Sequence, residues 1–287
     1  QKGESFLQLS KTERDMIDLV TSNFKKVTLV YNGANTFQFD FLNDYPQIQS
    51  VVWCPPAGQT GFSALGEVLA GETNPSGKTS DTFLKDLTKS VSYNNFGKFE
   101  YTNMADKAAK YKGFTGDDVT AIPGFVNYSE GIYVGYKFYE TASDEGLINY
   151  DDTVAFPFGY GLSYTSFAYS ELKADARSVT LTVTNTGSRA GAEIVQVYAA
   201  KPDARIFRPA QELKGFAKVQ LAAGESKRVT VALDDKAFRY WNTMTNAWEV
   251  EGGNYEVRVG ASCEDIRLTA VVTVAGTGAP NLSLIHI

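Results

Sequence analysis

The hydrophobic period of the sequence changes near Phe167, and this change constrains the fold more than any other feature. After it, Val179, Leu181 and Val183 alternate with threonines, as in a strand with one buried and one wet face. Similar short segments follow, separated by turns: Ile194–Tyr198, Leu213–Leu221, Lys227–Leu233, Tyr255–Val259 and Ile266–Val274. The pattern predicts an antiparallel β-sandwich over residues 167–276.

Before Phe167, helix-like and strand-like segments alternate. Ser10 begins a capping box with Glu13, which predicts a helix that ends near Phe24. Apolar runs at residues 27–31 and 51–54 predict strands, and residues 61–70 predict a second helix. This order is typical of βαβ units with a parallel sheet. Because only two strands are convincing, where an average sheet has about five or six, we predict an open α/β domain (an αβα sandwich) over residues 1–166, incomplete at its start.

Three segments do not follow these regular patterns. The aromatic run Ile132–Tyr139 is predicted to be a strand or a buried turn. Phe156–Gly161 places two glycines and a proline among aromatic residues, which predicts a compact loop whose rings pack on a neighbouring domain. Ser90–Gly124 is rich in Asn, Gly, Lys and Asp and is predicted to be mostly surface loop.

The titratable side chains exclude several kinds of chemistry. The single histidine, His286, is the second-to-last residue, where an imidazole is not held rigidly enough for catalysis or zinc binding. Hydrolysis by a serine or cysteine nucleophile with a histidine base is therefore excluded, and acid–base chemistry is left to the 33 Asp and Glu residues. Cys54 and Cys263 are predicted to be free, partly buried thiols.

Charge and local motifs narrow the range of partners. A net charge of −6 argues against phosphate contacts with nucleic acid, and no apolar run reaches the roughly 18 residues of a membrane helix. We therefore predict no nucleic-acid partner, no membrane span, no cofactor and no metal. Gly58–Gly61 opens a helix and could hold an anion, but it has no lysine for phosphate. The acidic pairs are interpreted as solvated turns rather than metal or catalytic sites: Asp117-Asp118, Asp151-Asp152 and Asp234-Asp235.

Three long segments carry the most specific information, together with the short segment Glu212–Phe216 of the sandwich. The long ones are Gly58–Gly71 with the turn Asn74–Lys78, Tyr128–Tyr139 and Phe156–Phe167. The second reads Y-S-E-G-I-Y-V-G-Y-K-F-Y and the third F-P-F-G-Y-G-L-S-Y-T-S-F. In this order they resemble glycoside hydrolase family 3, the β-glucosidase and β-xylosidase family, over about residues 4–281. The sandwich then resembles the fibronectin type III-like domain of that family.

The resemblance implies a retaining glycosidase that acts on β-linked glucosides or related sugars. Two carboxylates roughly 5 Å apart carry such a reaction, one as nucleophile and the other as acid and base. In the family the nucleophile is an Asp on a (β/α)8 barrel, which this sequence lacks, and the acid/base Glu is expected upstream of Gln1. We therefore assign no catalytic residue here. Glu4 matches a neighbouring motif better than the catalytic one.

Two further features of the resemblance concern the site. Glu130 is expected to be structural, with its carboxylate pairing with or capping nearby backbone. The loops Asn32–Thr36 and Pro55–Gly61 follow strand ends, where open α/β sheets place ligands, and are expected to border the sugar cleft. Pro55, Pro56 and Thr60 depart from the more glycine-rich family pattern, so no substrate-binding residue is assigned.

The expected domain order is that of the permuted branch of the family, in which the barrel follows the sandwich. Residues 277–287 are then a linker and a non-native tail, because Leu282–Ile287 resembles translated sequencing-adapter read-through. The alternative to a glycosidase fragment is a non-catalytic carbohydrate-binding or scaffold module. Neither the compartment, the sugar nor the oligomeric state follows from the residues.

Overall fold

The computed structural model describes residues 7–93, 95 and 99–277, so Glu4, His286 and everything after residue 277 lie outside the described residues. The α-helices are α1 (Lys11–Asn23), α2 (Gly61–Ala70), α3 (Tyr136–Asp144) and α4 (Tyr150–Thr153). The first strands are β1 (Val27–Tyr31), β2 (Ile48–Trp53), β3 (Phe83–Leu84), β4 (Phe99–Glu100), β5 (Ala109–Lys112), β6 (Asp118–Ala121), β7 (Gly124–Phe125) and β8 (Val154–Phe156). The later strands are β9 (Phe167–Ala174), β10 (Ser178–Asn185), β11 (Gly191–Ala200), β12 (Glu212–Leu221), β13 (Ser226–Ala232), β14 (Arg239–Asn242), β15 (Ala247–Val250), β16 (Gly253–Gly260) and β17 (Ile266–Val274).

The first helix begins as its capping box predicts. The Ser10 hydroxyl accepts a hydrogen bond from the Glu13 backbone N–H at 3.3 Å, and the Ser10 backbone N–H donates to the Glu13 carboxylate at 2.8 Å. Two backbone donors that have no partner within the helix are thereby satisfied. The helix ends at Asn23, and Ile17 is its buried apolar contact with the core.

The two predicted strands pair in parallel, which confirms the α/β character of the first half. Val30 is opposite Val52, and Tyr31 is opposite Trp53 at the carboxyl ends of the strands. Among the described residues this sheet has two strands. α2 follows β2 and ends at Gly71, whose φ of 75° is the left-handed conformation that favours glycine at a helix end.

An aromatic cluster forms the core beside this sheet. Phe39 is 4% exposed, and its ring centroid lies within 6.0 Å of the ring centroids of five other aromatic side chains: Tyr31, Phe37, Phe41, Phe83 and Phe156. Aromatic pairs at these separations add to the stabilisation from burial itself. The many aromatic residues of the first half therefore serve mainly as core.

The prediction of a strand or buried turn at Ile132–Tyr139 is wrong, because α3 begins at Tyr136. Gly135, directly before the helix, has a φ of 58°, a left-handed backbone angle that favours glycine. Tyr139 and Ala142 are both buried and lie three residues apart, on one side of the helix. The helix was not predicted because nearly every residue of this aromatic segment is apolar, so the helical spacing of the buried residues could not be recognised.

The predicted surface loop at Ser90–Gly124 contains short ladders. β4 pairs with β7 and β5 pairs with β6, both antiparallel. Their strands are two to four residues long and mostly exposed. Such short, polar strands leave almost no period-two signal, so sequence reasoning missed them.

The second half is a β-sandwich, as predicted. One sheet has the strand order β13–β10–β9 and the other β12–β11–β16–β17, with antiparallel neighbours throughout. Val179, Leu181 and Val183 of β10 are fully buried between the sheets, together with Val195 of β11 and Val257 of β16. β14 and β15 pair with each other as a hairpin and with neither of the two sheets.

Candidate functional site

The carboxyl ends of β1 and β2 meet at one edge, because parallel strands end on the same side of a sheet. Three hydrogen bonds join the loops that follow them. The Asn32 amide donates to the Cys54 carbonyl at 2.8 Å, the Cys54 N–H donates to the Tyr31 carbonyl at 2.9 Å, and the Trp53 indole donates to the Gly33 carbonyl at 2.7 Å. The structure thus brings together the two loops that the sequence singled out. We call this surface, residues 32–36 and 55–61, the carboxyl edge.

The carboxyl edge is polar but has no charged side chain. Residues 32–36 and 55–61 contain no Asp, Glu, Lys, Arg or His. Asn32, Asn35, Gln59 and Thr60 are exposed, and their amides and hydroxyl can donate and accept hydrogen bonds. Such groups can orient a hydroxyl-rich ligand, but they cannot act as a general acid, a general base or a carboxylate nucleophile.

Glu130 does not pair as expected. Its Oε2 is buried and finds no hydrogen-bond partner among the described residues. Its backbone carbonyl accepts from the Tyr133 N–H at 2.9 Å. Glu4, the other carboxylate considered as a catalytic candidate, lies outside the described residues.

The three acidic pairs are all exposed, in agreement with their interpretation as solvated residues, but Asp118 lies in β6 and Asp151-Asp152 in α4 rather than in turns. Asp118 forms an ion pair with Lys112 at 2.7 Å across the β5–β6 ladder. Asp235 forms one with Arg239 at 2.6 Å. Pairs this exposed contribute little to stability.

A buried polar cluster at the junction of the two halves was not predicted from the sequence. Glu140 of α3, Gln211 and Cys263 are 5%, 4% and 2% exposed. The Gln211 amide donates to Glu140 Oε2 at 2.8 Å and to the Cys263 carbonyl at 2.8 Å. Burial raises the pKa of the Glu140 carboxyl from 4.5 to about 8. Burial also raises the pKa of the Cys263 thiol.

The two cysteines are both free, as predicted. Cys54 is half-buried, at the end of β2. Cys263 is almost fully buried, in the turn between β16 and β17. The prediction that both thiols are partly buried therefore holds for Cys54 alone.

The residues that carry the family motifs also hold the halves together. The Tyr136 hydroxyl accepts from the Leu213 N–H at 2.7 Å, and the Tyr136 ring stacks on Phe158 with centroids 4.6 Å apart. The Phe158 carbonyl accepts from the Cys263 N–H at 3.1 Å. The Phe156–Gly161 loop therefore contacts the sandwich as predicted, but through its backbone carbonyls, whereas the rings of Phe156 and Phe158 pack on aromatic side chains of the first half.

A buried ion pair adds to this junction. Lys78 Nζ lies 3.2 Å from Glu193 Oε1, with side chains 13% and 6% exposed. Lys78 also donates to the Gly161 carbonyl at 3.1 Å. Residues of the strongest sequence motifs therefore join the two halves of the chain.

Comparison with known proteins decides the family. Residues 2–136 match the glycosyl hydrolase family 3 C-terminal domain, and residues 193–263 match the fibronectin type III-like domain. A solved structure, the GH3 β-glucosidase of Bifidobacterium adolescentis, is 34% identical with a TM-score of 0.77, covering 95% of this chain and 36% of that one. The chain belongs to glycosyl hydrolase family 3.

Two curated relatives extend the comparison within family 3. An exo-α-(1→6)-L-arabinopyranosidase of Bifidobacterium breve is 39% identical, with 93% of this chain and 33% of the relative covered. The thermostable β-glucosidase B of Acetivibrio thermocellus is 34% identical, with 94% and 32% covered. The chain thus spans about a third of the length of these family 3 relatives, and their names differ in the sugar they release.

Some expectations stay predictions for this family 3 chain. They are the domain limits 1–166, 167–276 and 277–287, the permuted domain order, and the absence of a cofactor or metal. In the described part of the chain, no helix combines the length and the apolar character needed to cross a bilayer.

Proposed function

We propose that this chain is the α/β and fibronectin type III-like part of a retaining β-glycosidase that releases terminal β-linked glucose or a related sugar from oligosaccharides or glycosides. The likeness to a GH3 β-glucosidase over 95% of the chain supports this most strongly. The Asp nucleophile would lie on a (β/α)8 barrel outside this sequence, and the acid/base Glu upstream of Gln1. The barrel would be the main protein partner of this part.

In this proposal the catalytic carboxylates lie outside this sequence, and the carboxyl edge helps to bind the sugar. Retaining hydrolysis needs two carboxylates about 5 Å apart, one to attack the anomeric carbon and one to protonate the leaving oxygen. The carboxyl edge contains neither. Its exposed amides would instead bind sugar hydroxyls, the role of the few polar groups that fix a ligand's orientation in a cleft.

Exposed apolar side chains on α1 and α2 support a covering partner. Met16 and Leu19 of α1 are 55% and 66% exposed, and Phe62 and Leu69 of α2 are 52% and 50% exposed. Where such side chains form a contiguous patch, they mark a contact with more protein. We propose that the rest of the enzyme covers these side chains.

The test uses the full-length enzyme, built from the flanking coding sequence, and the variant Gln59→Ala at the carboxyl edge. Loss of one hydrogen bond to the sugar should lower kcat/KM for an aryl β-glucoside by about tenfold. Proton NMR of the first sugar released should show the β-anomer, as retention requires.

The matched control is Gln220→Ala, an exposed glutamine on β12 of the sandwich. It should leave kcat/KM unchanged. Equal kcat/KM for the two variants would contradict the role of the carboxyl edge. A full-length protein that binds the sugar without turnover would favour the alternative, a non-catalytic binding or scaffold module.

A further inference from the structure

We propose that Glu140, Cys263 and Glu264 form a binding site for a zinc-like divalent cation, which joins α3 to the turn between β16 and β17. The site lies at the junction of the two halves, and it departs from the sequence-based prediction that the chain binds no metal. Nothing in the proposed glycosidase chemistry uses it.

The geometry of the three side chains defines the site. One carboxylate oxygen from each glutamate and the Cys263 sulfur lie within 4.8 Å of one another. Glu140 and Cys263 are buried, while Glu264 is exposed. The cluster is therefore fixed on its inner side and reachable by a solvated ion on its outer side.

An unpartnered oxygen gives independent support. Glu140 Oε2 accepts from the Gln211 amide, but Oε1 is buried and, apart from the contact of this carboxyl with the Cys263 thiol of the same cluster, has no hydrogen-bond partner among the described residues. A buried acceptor without a partner costs about 1–3 kcal/mol, so such groups call for an explanation. A cation at this cluster would supply the missing partner.

The donor set selects the class of cation. A thiolate with carboxylates suits zinc or cadmium, whereas calcium and magnesium take oxygen ligands alone. On binding, a metal–sulfur bond forms as the Cys263 thiol releases its proton to water, the Glu140 carboxyl likewise releases the proton that it holds below about pH 8, and no electron is transferred. The open side at Glu264 leaves room for a water ligand to complete four-coordination.

A residue beside the cluster would support the ligands. The Tyr150 hydroxyl of α4 lies 4.0 Å from the Cys263 sulfur. An outer hydrogen bond to a coordinating sulfur orients it and tunes its affinity. The site therefore draws on α3, α4 and the β16–β17 turn together, and a bound ion would hold the two halves of the chain against each other.

The experiment titrates the tag-free, reduced 287-residue chain with Cd²⁺ and follows the ultraviolet charge-transfer absorption of a cadmium–thiolate bond. Every protein carries His286→Ala, so that no imidazole competes. We expect the absorption to saturate at one ion per chain. Cys263→Ser should abolish it, and the matched control Cys54→Ser should retain it. Competition with Zn²⁺ should displace the cadmium.

Glu264→Gln provides a second test that does not depend on changing the core, because Glu264 is exposed. It should weaken Zn²⁺ binding at least about tenfold, since a ligand is lost. Absence of the cadmium–thiolate absorption in the parent chain would overturn the proposal. So would absorption that survives Cys263→Ser but vanishes in Cys54→Ser, or equal Zn²⁺ affinity in Glu264→Gln.

Discussion

Glu140→Gln should make the chain more stable at high pH. The Glu140 carboxyl is 5% exposed, and its pKa is raised to about 8, first by burial and then by the nearby charges of Glu264 and Asp144. In the unfolded chain the same carboxyl titrates near 4.5. Glutamine has the same shape but stays neutral, so it avoids burying a charge.

The sign and size follow from proton linkage. Between about pH 4.5 and pH 8 the folded chain keeps the Glu140 proton and the unfolded chain has lost it, so the free energy of unfolding falls as pH rises. The fall is at most about 1.4 kcal/mol per pH unit, with a ceiling of about 5 kcal/mol over this window. Because the site can relax and admit water when Glu140 ionises, we expect about 2–3 kcal/mol.

The free energy of unfolding of the two proteins can be measured by urea unfolding at several pH values. EDTA is present to keep the metal site empty. Wild type and Glu140→Gln should match at about pH 3, where the Glu140 carboxyl is protonated in both the folded and the unfolded chain, and Glu140→Gln should be about 2–3 kcal/mol more stable at about pH 9. Contributions shared by the two proteins, such as the titration of Glu264, largely cancel in the difference. Equal stability at about pH 9 would refute the claim that folding buries this carboxylate at a cost.

Three further substitutions test the fold by urea unfolding. Lys78→Ala should destabilise the chain by about 2 kcal/mol, because the buried Glu193 carboxylate loses the nearer of its two cations and keeps Arg267 at 4.0 Å; a loss typical of a surface pair would contradict this. Leu181→Ala should cost about 3 kcal/mol by opening a cavity in the fully buried sandwich core, and a change below about 1 kcal/mol would contradict the packing described. Ser10→Ala should cost about 1 kcal/mol by removing the cap of α1, and an unchanged midpoint would argue against that cap.

Secondary-structure elements could be predicted where residues close together in the sequence determine them. The Ser10–Glu13 capping box and the alternation of Val179, Leu181 and Val183 depend on neighbouring residues alone, and the structure shows both. The prediction for Ile132–Tyr139 was wrong, because Gly135 takes a positive φ and a helix starts directly after it, within an apolar segment. A single sequence gives no direct sign of a backbone angle.

The junction cluster could not be predicted from the sequence, because its members are far apart along the chain. Gln211 lies 71 residues from Glu140 and 52 from Cys263. Each looks ordinary in its own segment, and only folding buries them together. The carboxyl edge was predictable, because it depends on two short strands and on the rule that parallel strands end on one side.

The most direct test of the central claim is turnover by this chain alone. A fragment that supplies the carboxyl edge but not the catalytic carboxylates should hydrolyse an aryl β-glucoside no faster than buffer, while the full-length enzyme, assayed in parallel, should release sugar readily. Turnover by the 287-residue chain that is abolished by Glu4→Gln would contradict the account, because it would place a catalytic carboxylate within these residues.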